Sequence, residues 1–363
     1  MKIIHICSPE VRLSRSFGGT ESLVYNLAQK QADEGHNVSI ITSRYSPDNN
    51  LKHYAFVNPT KTSSSWPLTW MTYRLNGFKH VLKSFCWIDK KIDIIHNHLS
   101  EEGIGLSFLR KIPCLNTLHG AAHQDLVKSS IIRLYSLTRD TKLVTVSYRS
   151  YLQHKQFYGK DLIGFVHSGV RTDYFTYFNK VKSIFDYNLC FLGRISPDKN
   201  LDYVISVCDK LKNNGNDINL NIIGKYDSAN YNYYKRILEL SQERKYINLY
   251  VNIKRDKIKP IVGKSDCLIF PTSKTEPLAL APLEVMSTGT PVISFKNTVA
   301  EEYVINGENG FLCSNLDEMV DSIIKSKSID RKKCRELIVK NFSVDTMYRG
   351  YMEKYEKVIE LAQ

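Results

Sequence analysis

The chain lacks what fibrous, linker-rich and membrane-spanning proteins need. Eighteen Gly and 11 Pro in 363 residues are too few for a collagen-like or low-complexity protein. No apolar run approaches the roughly 20 residues that cross a bilayer as a helix. No G-x-x-x-x-G-K-[ST] loop is present. The stretch Gly103-Ile104-Gly105-Leu106-Ser107-Phe108 fits only the first two glycines of a dinucleotide fingerprint and follows the third predicted strand instead of the first, which argues against a dehydrogenase. The eight Cys include no C-x-x-C and no close Cys/His spacing, so reduced thiols are expected and a disulfide frame or zinc site is not. The opening run Met1-Lys2-Ile3-Ile4-His5-Ile6-Cys7 has neither a signal-peptide core nor a cleavage site, so the expected location is cytoplasmic.

What is present describes a folded protein of two domains. Hydrophobic residues make up 42% and charged residues 24%, ordinary values for a globular chain, and the length suits two cores. Fifty Lys and Arg against 37 Asp and Glu give a net charge of +13. That excess fits a solvated basic surface, an anionic membrane or ligand, or nucleic acid. No nucleic-acid motif accompanies it, so nucleic acid ranks last. Segment 66–91 interleaves Trp66, Trp70, Tyr73, Phe78, Phe85 and Trp87 with Arg74, Lys79, Lys83, Lys90 and Lys91. It reads either as a core-packing helix with a basic edge or as an amphipathic helix in peripheral contact with an anionic membrane.

Short β-branched runs alternate with longer helical patterns, the signature of parallel α/β layers. Strands are predicted at 3–7, 38–42, 92–96, 114–118 and 143–146, and again at 187–193, 218–223, 247–251, 267–271 and 291–295. Thr20–Glu34 reads as a helix that Gly35 stops. Two such series imply two Rossmann-like domains, residues 1–170 and 171–363. The final helix, 343–361, is expected to pack back on the first domain.

The stretch 275–292 carries the most chemistry. Glu276 follows a predicted strand, and Glu284 lies eight residues on, in a short helix ended by Gly289. Open parallel sheets bind ligands at such strand ends, where a carboxylate suits a sugar or ribose diol. The amides of Ala279, Leu280 and Ala281 would face an anion at the helix start. Both glutamates also fit solvated surface positions, and spacing alone does not choose.

This stretch resembles the E-x7-E signature of the retaining GT-B glycosyltransferases of family 4, including its Gly-Thr-Pro-Val continuation. Other motifs follow in order. Phe17-Gly18-Gly19-Thr20-Glu21 is similar to the family's first Gly-rich loop. Thr117-Leu118-His119-Gly120 and Val144-Thr145-Val146-Ser147 resemble its mid-domain strand ends. Gly193-Arg194 through Lys199-Asn200 resembles its Arg/Lys loop, and Asn306–Leu312 its C-terminal Gly-rich turn.

The resemblance implies a GT-B fold of two Rossmann-like domains facing each other across a cleft. It also implies a glycosyltransferase that moves a sugar, most commonly from UDP, to a glycan or lipid-linked acceptor with retained configuration. Arg194 and Lys199 would hold the donor diphosphate, Glu284 the ribose, and Glu276 and His119 the transferred sugar. Leu280, Ala281, Gly18 and Gly19 would offer backbone to the donor. With no D-x-D pair in the chain, no metal and no cofactor are expected. Two positions depart from the family: Leu278-Ala279 replaces an aromatic-Gly pair, and Ser168-Gly169-Val170-Arg171 replaces Asn-Gly-Val-Asp. An epimerase or phosphorylase on the same fold, or a non-catalytic sugar- or nucleotide-binding protein, stays open beside the transferase.

Overall fold

The computed structural model describes residues 1–9, 13, 19–42, 51–57, 68–89, 91–99, 112–120, 141–180 and 182–363; of 68–74 and 141 it describes the backbone alone. The chain forms two compact units, one of residues 1–169 with 344–363, the other of residues 170–343.

The first unit contains β1 (Lys2–Ile6), α1 (Gly19–Asp33), β2 (Asn37–Ile41), β3 (Lys52–Tyr54), α2 (Leu68–Trp87), β4 (Ile94–Asn97), β5 (Cys114–Leu118), β6 (Thr141–Thr145), α3 (Tyr148–Tyr158) and β7 (Leu162–Phe165). Its seven strands lie in the order β3-β2-β1-β4-β5-β6-β7, and every pairing is parallel. A parallel sheet is covered on both faces, so its strands read as nearly unbroken apolar runs; all five residues of β5 are buried. Helix α1 turns Leu23, Val24, Leu27 and Ala28 into the core, and Gly35 takes the left-handed backbone (φ +86°) that ends it.

The second unit contains β8 (Tyr187–Arg194), α4 (Leu201–Asn213), β9 (Ile218–Lys225), α5 (Tyr231–Glu243), β10 (Ile247–Val251), α6 (Arg255–Lys264), β11 (Cys267–Ile269), α7 (Leu280–Ser287), β12 (Val292–Phe295), β13 (Gly310–Cys313), α8 (Leu316–Ser326) and α9 (Arg331–Phe342). The parallel order is β10-β9-β8-β11-β12-β13. The fold class expected from the sequence is therefore present: two parallel α/β sheets in one chain.

Three strands escape sequence reasoning. β3 is a three-residue edge strand, Lys-His-Tyr, with no buried residue. β7 holds Gly164 at φ +133° and slips register against β6. β13 begins inside the stretch read as a Gly-rich turn. A Cβ on Gly310 would lie 2.1 Å from the Val292 carbonyl, so only glycine lets β13 close on β12.

The last helix, α10 (Val344–Ala362), belongs to the first unit. Met347, Tyr351, Tyr355 and Val358 recur at helical spacing on its buried face. Lys30 pairs with Asp345 at 2.6 Å, and the Tyr348 hydroxyl lies 2.9 Å from His36.

Helix α2 has two faces. Val81 and Phe85, with Ile88 just beyond the helix, pack with Ile6, Ile41 and Ile95 in the core. Leu75, Phe78, Leu82 and Trp87 are exposed on another face, beside exposed Lys79 and Lys83. Trp66 and Lys90, and the side chains of Trp70, Tyr73 and Arg74, lie outside the described residues. Among the described residues no helix is long and apolar enough to cross a membrane. All eight cysteines are free thiols, and only Cys86 is exposed.

Candidate active site

Strand order locates a site before any side chain is considered. In the second unit the chain runs outward from β8 through β9 to β10, then returns to place β11 on the other side of β8. The connections leaving β8 and β11 therefore diverge to opposite sides, opening a crevice at their carboxyl ends where such sheets take ligands. Arg194 is the last residue of β8, and Lys199 follows in a short turn. Glu276 follows β11, and Glu284 lies on α7.

Lys199 is the anchor of this crevice. Its side chain is only 8% exposed, forms an ion pair with Glu276, and sits 3.5 Å from Asp198. Its ammonium stands 5.9 Å from the centroid of the Phe270 ring. The next residue, Asn200, adopts a left-handed backbone (φ 53°) and donates through Nδ2 to the Pro271 carbonyl at 2.7 Å. That bond ties the Lys199 turn to the end of β11. A shielded ammonium is costly unless paired, and Glu276 supplies the partner that offsets this cost for Lys199. Arg194, by contrast, is 60% exposed and touches Asp198 at 3.3 Å, leaving its fork largely in solvent.

Glu284 has a partner that no spacing in the sequence revealed. It forms an ion pair with Arg255, the first residue of α6. The Arg255 guanidinium stands 5.2 Å from the Phe175 ring centroid and 5.9 Å from that of Tyr174. Burial pushes the Glu284 carboxyl above its ordinary range, against the opposing pull of Arg255. Helix α7 starts at Leu280 without a side-chain cap. The first-turn amides, Leu280 and Ala281 among them, form a donor edge beside Glu284. The two partly buried carboxylates, Glu276 and Glu284, are both engaged with cations, Lys199 and Arg255, and neither resembles a free general base.

The remaining candidates belong to the first unit. Its strand order reverses between β1 and β4, which opens the equivalent crevice there. His119 directly follows β5 and is partly exposed, and its Nε2 lies 3.0 Å from Nδ1 of His98. Desolvation pushes its pKa down to about 4, so the ring is neutral at pH 7. Gly19 opens α1, and a Cβ there would meet nothing within 4 Å, so its glycine is not required by packing. Gly18 lies outside the described residues. Sequence reasoning missed Arg255, Asn200, His5 and His98; the alternation His96-Asn97-His98 in an apolar setting was the one available signal for the histidines.

Two family models match the chain in succession, Glycosyltransferase Family 4 over residues 17–174 and Glycosyl transferases group 1 over residues 179–341. A curated relative, the GPI3 subunit of phosphatidylinositol N-acetylglucosaminyltransferase from Saccharomyces cerevisiae, is 22% identical over 95% of this chain and 79% of its own. Among solved structures, Anabaena HepE in complex with UDP and glucose superposes with a TM-score of 0.74 at 16% identity, over 98% of this chain and 99% of that one. Sucrose-phosphate synthase from Thermosynechococcus elongatus superposes with a TM-score of 0.75 at 14% identity, over 99% of both chains.

Proposed function

Because the chain belongs to the group 1 and family 4 glycosyltransferases of GT-B fold, we propose that it transfers a hexose-type sugar from a nucleoside-diphosphate sugar to a hydroxyl of a glycan or lipid-linked acceptor, with retained configuration. The observation that carries this reading is the shielded Lys199–Glu276 pair beside Arg194 at the β8/β11 crevice. A diphosphate leaving group gathers negative charge as the glycosidic bond breaks. Cations already fixed at that place stabilise the transition state more than the ground state. Lys199 supplies a point charge and Arg194 a planar fork, and the two together take the place a divalent ion would fill. Glu284 receives the ribose hydroxyls, and Glu276 a hydroxyl of the sugar. UDP is the preferred carrier, a choice supported by the UDP bound in the Anabaena neighbour.

The reaction needs a base for the acceptor hydroxyl, and both glutamates of the crevice are engaged with cations. In this reading the departing phosphate oxygen takes that proton on the face it leaves, which gives retention. The test is proton NMR of the anomeric centre during turnover with a panel of UDP-, GDP- and ADP-sugars in EDTA. The product is expected to keep the donor's configuration. Inversion would overturn the mechanism. Donor consumption without acceptor would point to an epimerase, and nucleotide binding without any product to a binding protein.

Helix α2 supports a membrane setting for the acceptor. The exposed Leu75, Phe78, Leu82 and Trp87 beside Lys79 and Lys83 suit an anionic membrane surface, on the cytoplasmic side where thiols stay reduced. Each cation contributes about 1 kcal/mol near such a surface. The protein is expected to sediment with vesicles containing phosphatidylglycerol and not with neutral phosphatidylcholine vesicles. Phe78→Asp is expected to abolish that association, and equal recovery from both vesicle types would remove the membrane from the account.

A further inference from the structure

Four histidines meet in the first unit where β1, β4 and β5 lie side by side. His5 is in β1, His96 in β4, His98 just past β4 and His119 just past β5. Their nitrogens form a continuous row. His119 Nε2 is 3.0 Å from His98 Nδ1, His98 Nε2 is 2.9 Å from His5 Nδ1, and His5 Nε2 is 2.7 Å from Oε1 of Gln31. Gln31 is a fully buried polar residue on α1. From its amide nitrogen a second row begins. That nitrogen donates to the Tyr355 hydroxyl at 3.1 Å, the hydroxyl is 2.6 Å from His96 Nδ1, and His96 Nε2 is 2.7 Å from Thr117 Oγ1.

The direction of each bond follows from counting protons. A neutral imidazole has one N–H and one lone pair. Burial lowers the pKa of His5 and His119 to about 4 and those of His96 and His98 well below the ordinary value, so all four are neutral at pH 7. Gln31 Oε1 can only accept, so His5 carries its proton on Nε2. His5 Nδ1 must then accept from His98 Nε2, and His98 Nδ1 from His119 Nε2. One lone pair ends the row, that of His119 Nδ1, which no described residue partners. The second row is ordered in the same way, with Tyr355 donating to His96 Nδ1 and His96 Nε2 donating to Thr117.

We infer that Gln31, acting through His5 and His98, holds His119 in its Nε2–H tautomer, leaving Nδ1 as a fixed hydrogen-bond acceptor for a substrate hydroxyl. The part played by that hydroxyl rests on the reading of His119 as a substrate-facing residue; the tautomer does not. Gln31, His5 and His98 are positioning residues. They explain why a polar row is kept in the core of a sheet, where each unpaired group would be costly. An imidazole without them would exchange between two tautomers, one of which points a donor at the substrate and fails to receive its hydroxyl proton. Nitrogens of His5, His96 and His98 also lie within 4.8 Å of one another, close enough to share a metal ion. Each side chain is already committed to the hydrogen-bonded rows, and an ion there would break them.

The test is long-range proton–nitrogen NMR of the full chain with labelled histidine, near pH 7.5 and without substrate. Wild-type His119 is expected to show protonated Nε2 and bare Nδ1. Gln31→Met removes the acceptor, and His119 is expected to become a mixture of tautomers. In Gln31→Glu the carboxylate still accepts from His5, so His119 keeps its tautomer. That carboxylate also accepts a hydrogen bond from the Tyr355 hydroxyl, whose oxygen must then accept from His96, so His96 alone is expected to switch from Nε2–H to Nδ1–H. With a working donor, Gln31→Met is further expected to lower kcat about 10-fold with KM for the donor unchanged, and Gln31→Glu to restore it. Protonated Nδ1 on wild-type His119, an unchanged His119 spectrum in Gln31→Met, or stoichiometric zinc retained by the purified protein would each overturn the inference. Should no sugar donor support turnover while the tautomers follow this pattern, the positioning row stands and the transferase reading fails.

Discussion

Replacing Lys199 by alanine is expected to lower kcat about 100-fold, the cost of removing one preorganised charge from a developing anion, with a smaller change in KM for the donor. Two features make Lys199 more sensitive than Arg194. Its ammonium is shielded, at 8% exposure against 60%, so its field on a phosphate oxygen is less screened by water. It is also fixed in advance by Glu276 and by the Asn200 bond to Pro271. Lys199→Met separates charge from packing. Methionine preserves much of the apolar stem and removes the ammonium, so a loss as large as that of alanine assigns the effect to the charge. Steady-state kinetics on both variants decide the matter. Turnover within threefold of wild type in either would remove Lys199 from the diphosphate site.

Glu284→Ala is expected to weaken nucleoside-diphosphate binding by roughly 10- to 150-fold, the range for one or two hydrogen bonds to a charged group, about 1.5–3 kcal/mol. The partly exposed Glu284 side chain accepts from Arg255 on one side and is assigned the ribose on the other. Glu284→Gln keeps the shape and one acceptor but loses the charge that holds Arg255. An intermediate loss is expected for it. Calorimetric titration of the nucleotide alone, without its sugar, isolates this contact. Equal affinity in wild type and Glu284→Ala would place the ribose elsewhere.

The sheets were legible because parallel strands covered on both faces are buried along most of their length and read as mainly apolar runs, as Leu189 to Leu192 of β8 do. β3 and β13 were not, because three residues at an edge and a run opening on Gly310 carry no such signal. The site divides the same way. Glu276 and Glu284 stood out because the loop and helix after one strand carry both, at a fixed separation in sequence. Arg255 did not, since it reaches Glu284 from a different helix, 29 residues earlier in the chain. His5 and His98 are brought to His119 by sheet order, Gln31 to His5 by the packing of α1, and Tyr355 to His96 by the return of α10 across more than 200 residues. No spacing rule encodes contacts of that kind. Helix α2 was legible as amphipathic, but only the burial of Val81 and Phe85 beside exposed Phe78 and Leu82 shows that it serves the core and the surface at once.

The central claim is that the β8/β11 crevice holds a nucleoside diphosphate through this chain's own side chains. Thermal denaturation with UDP, GDP and ADP, each with and without EDTA, on wild type and Glu284→Ala, tests it most directly. The account predicts that one nucleotide, UDP first, raises Tm of the wild type, that EDTA leaves the shift unchanged, and that Glu284→Ala loses most of it. No shift with any nucleotide, or an equal shift in the variant, would contradict it.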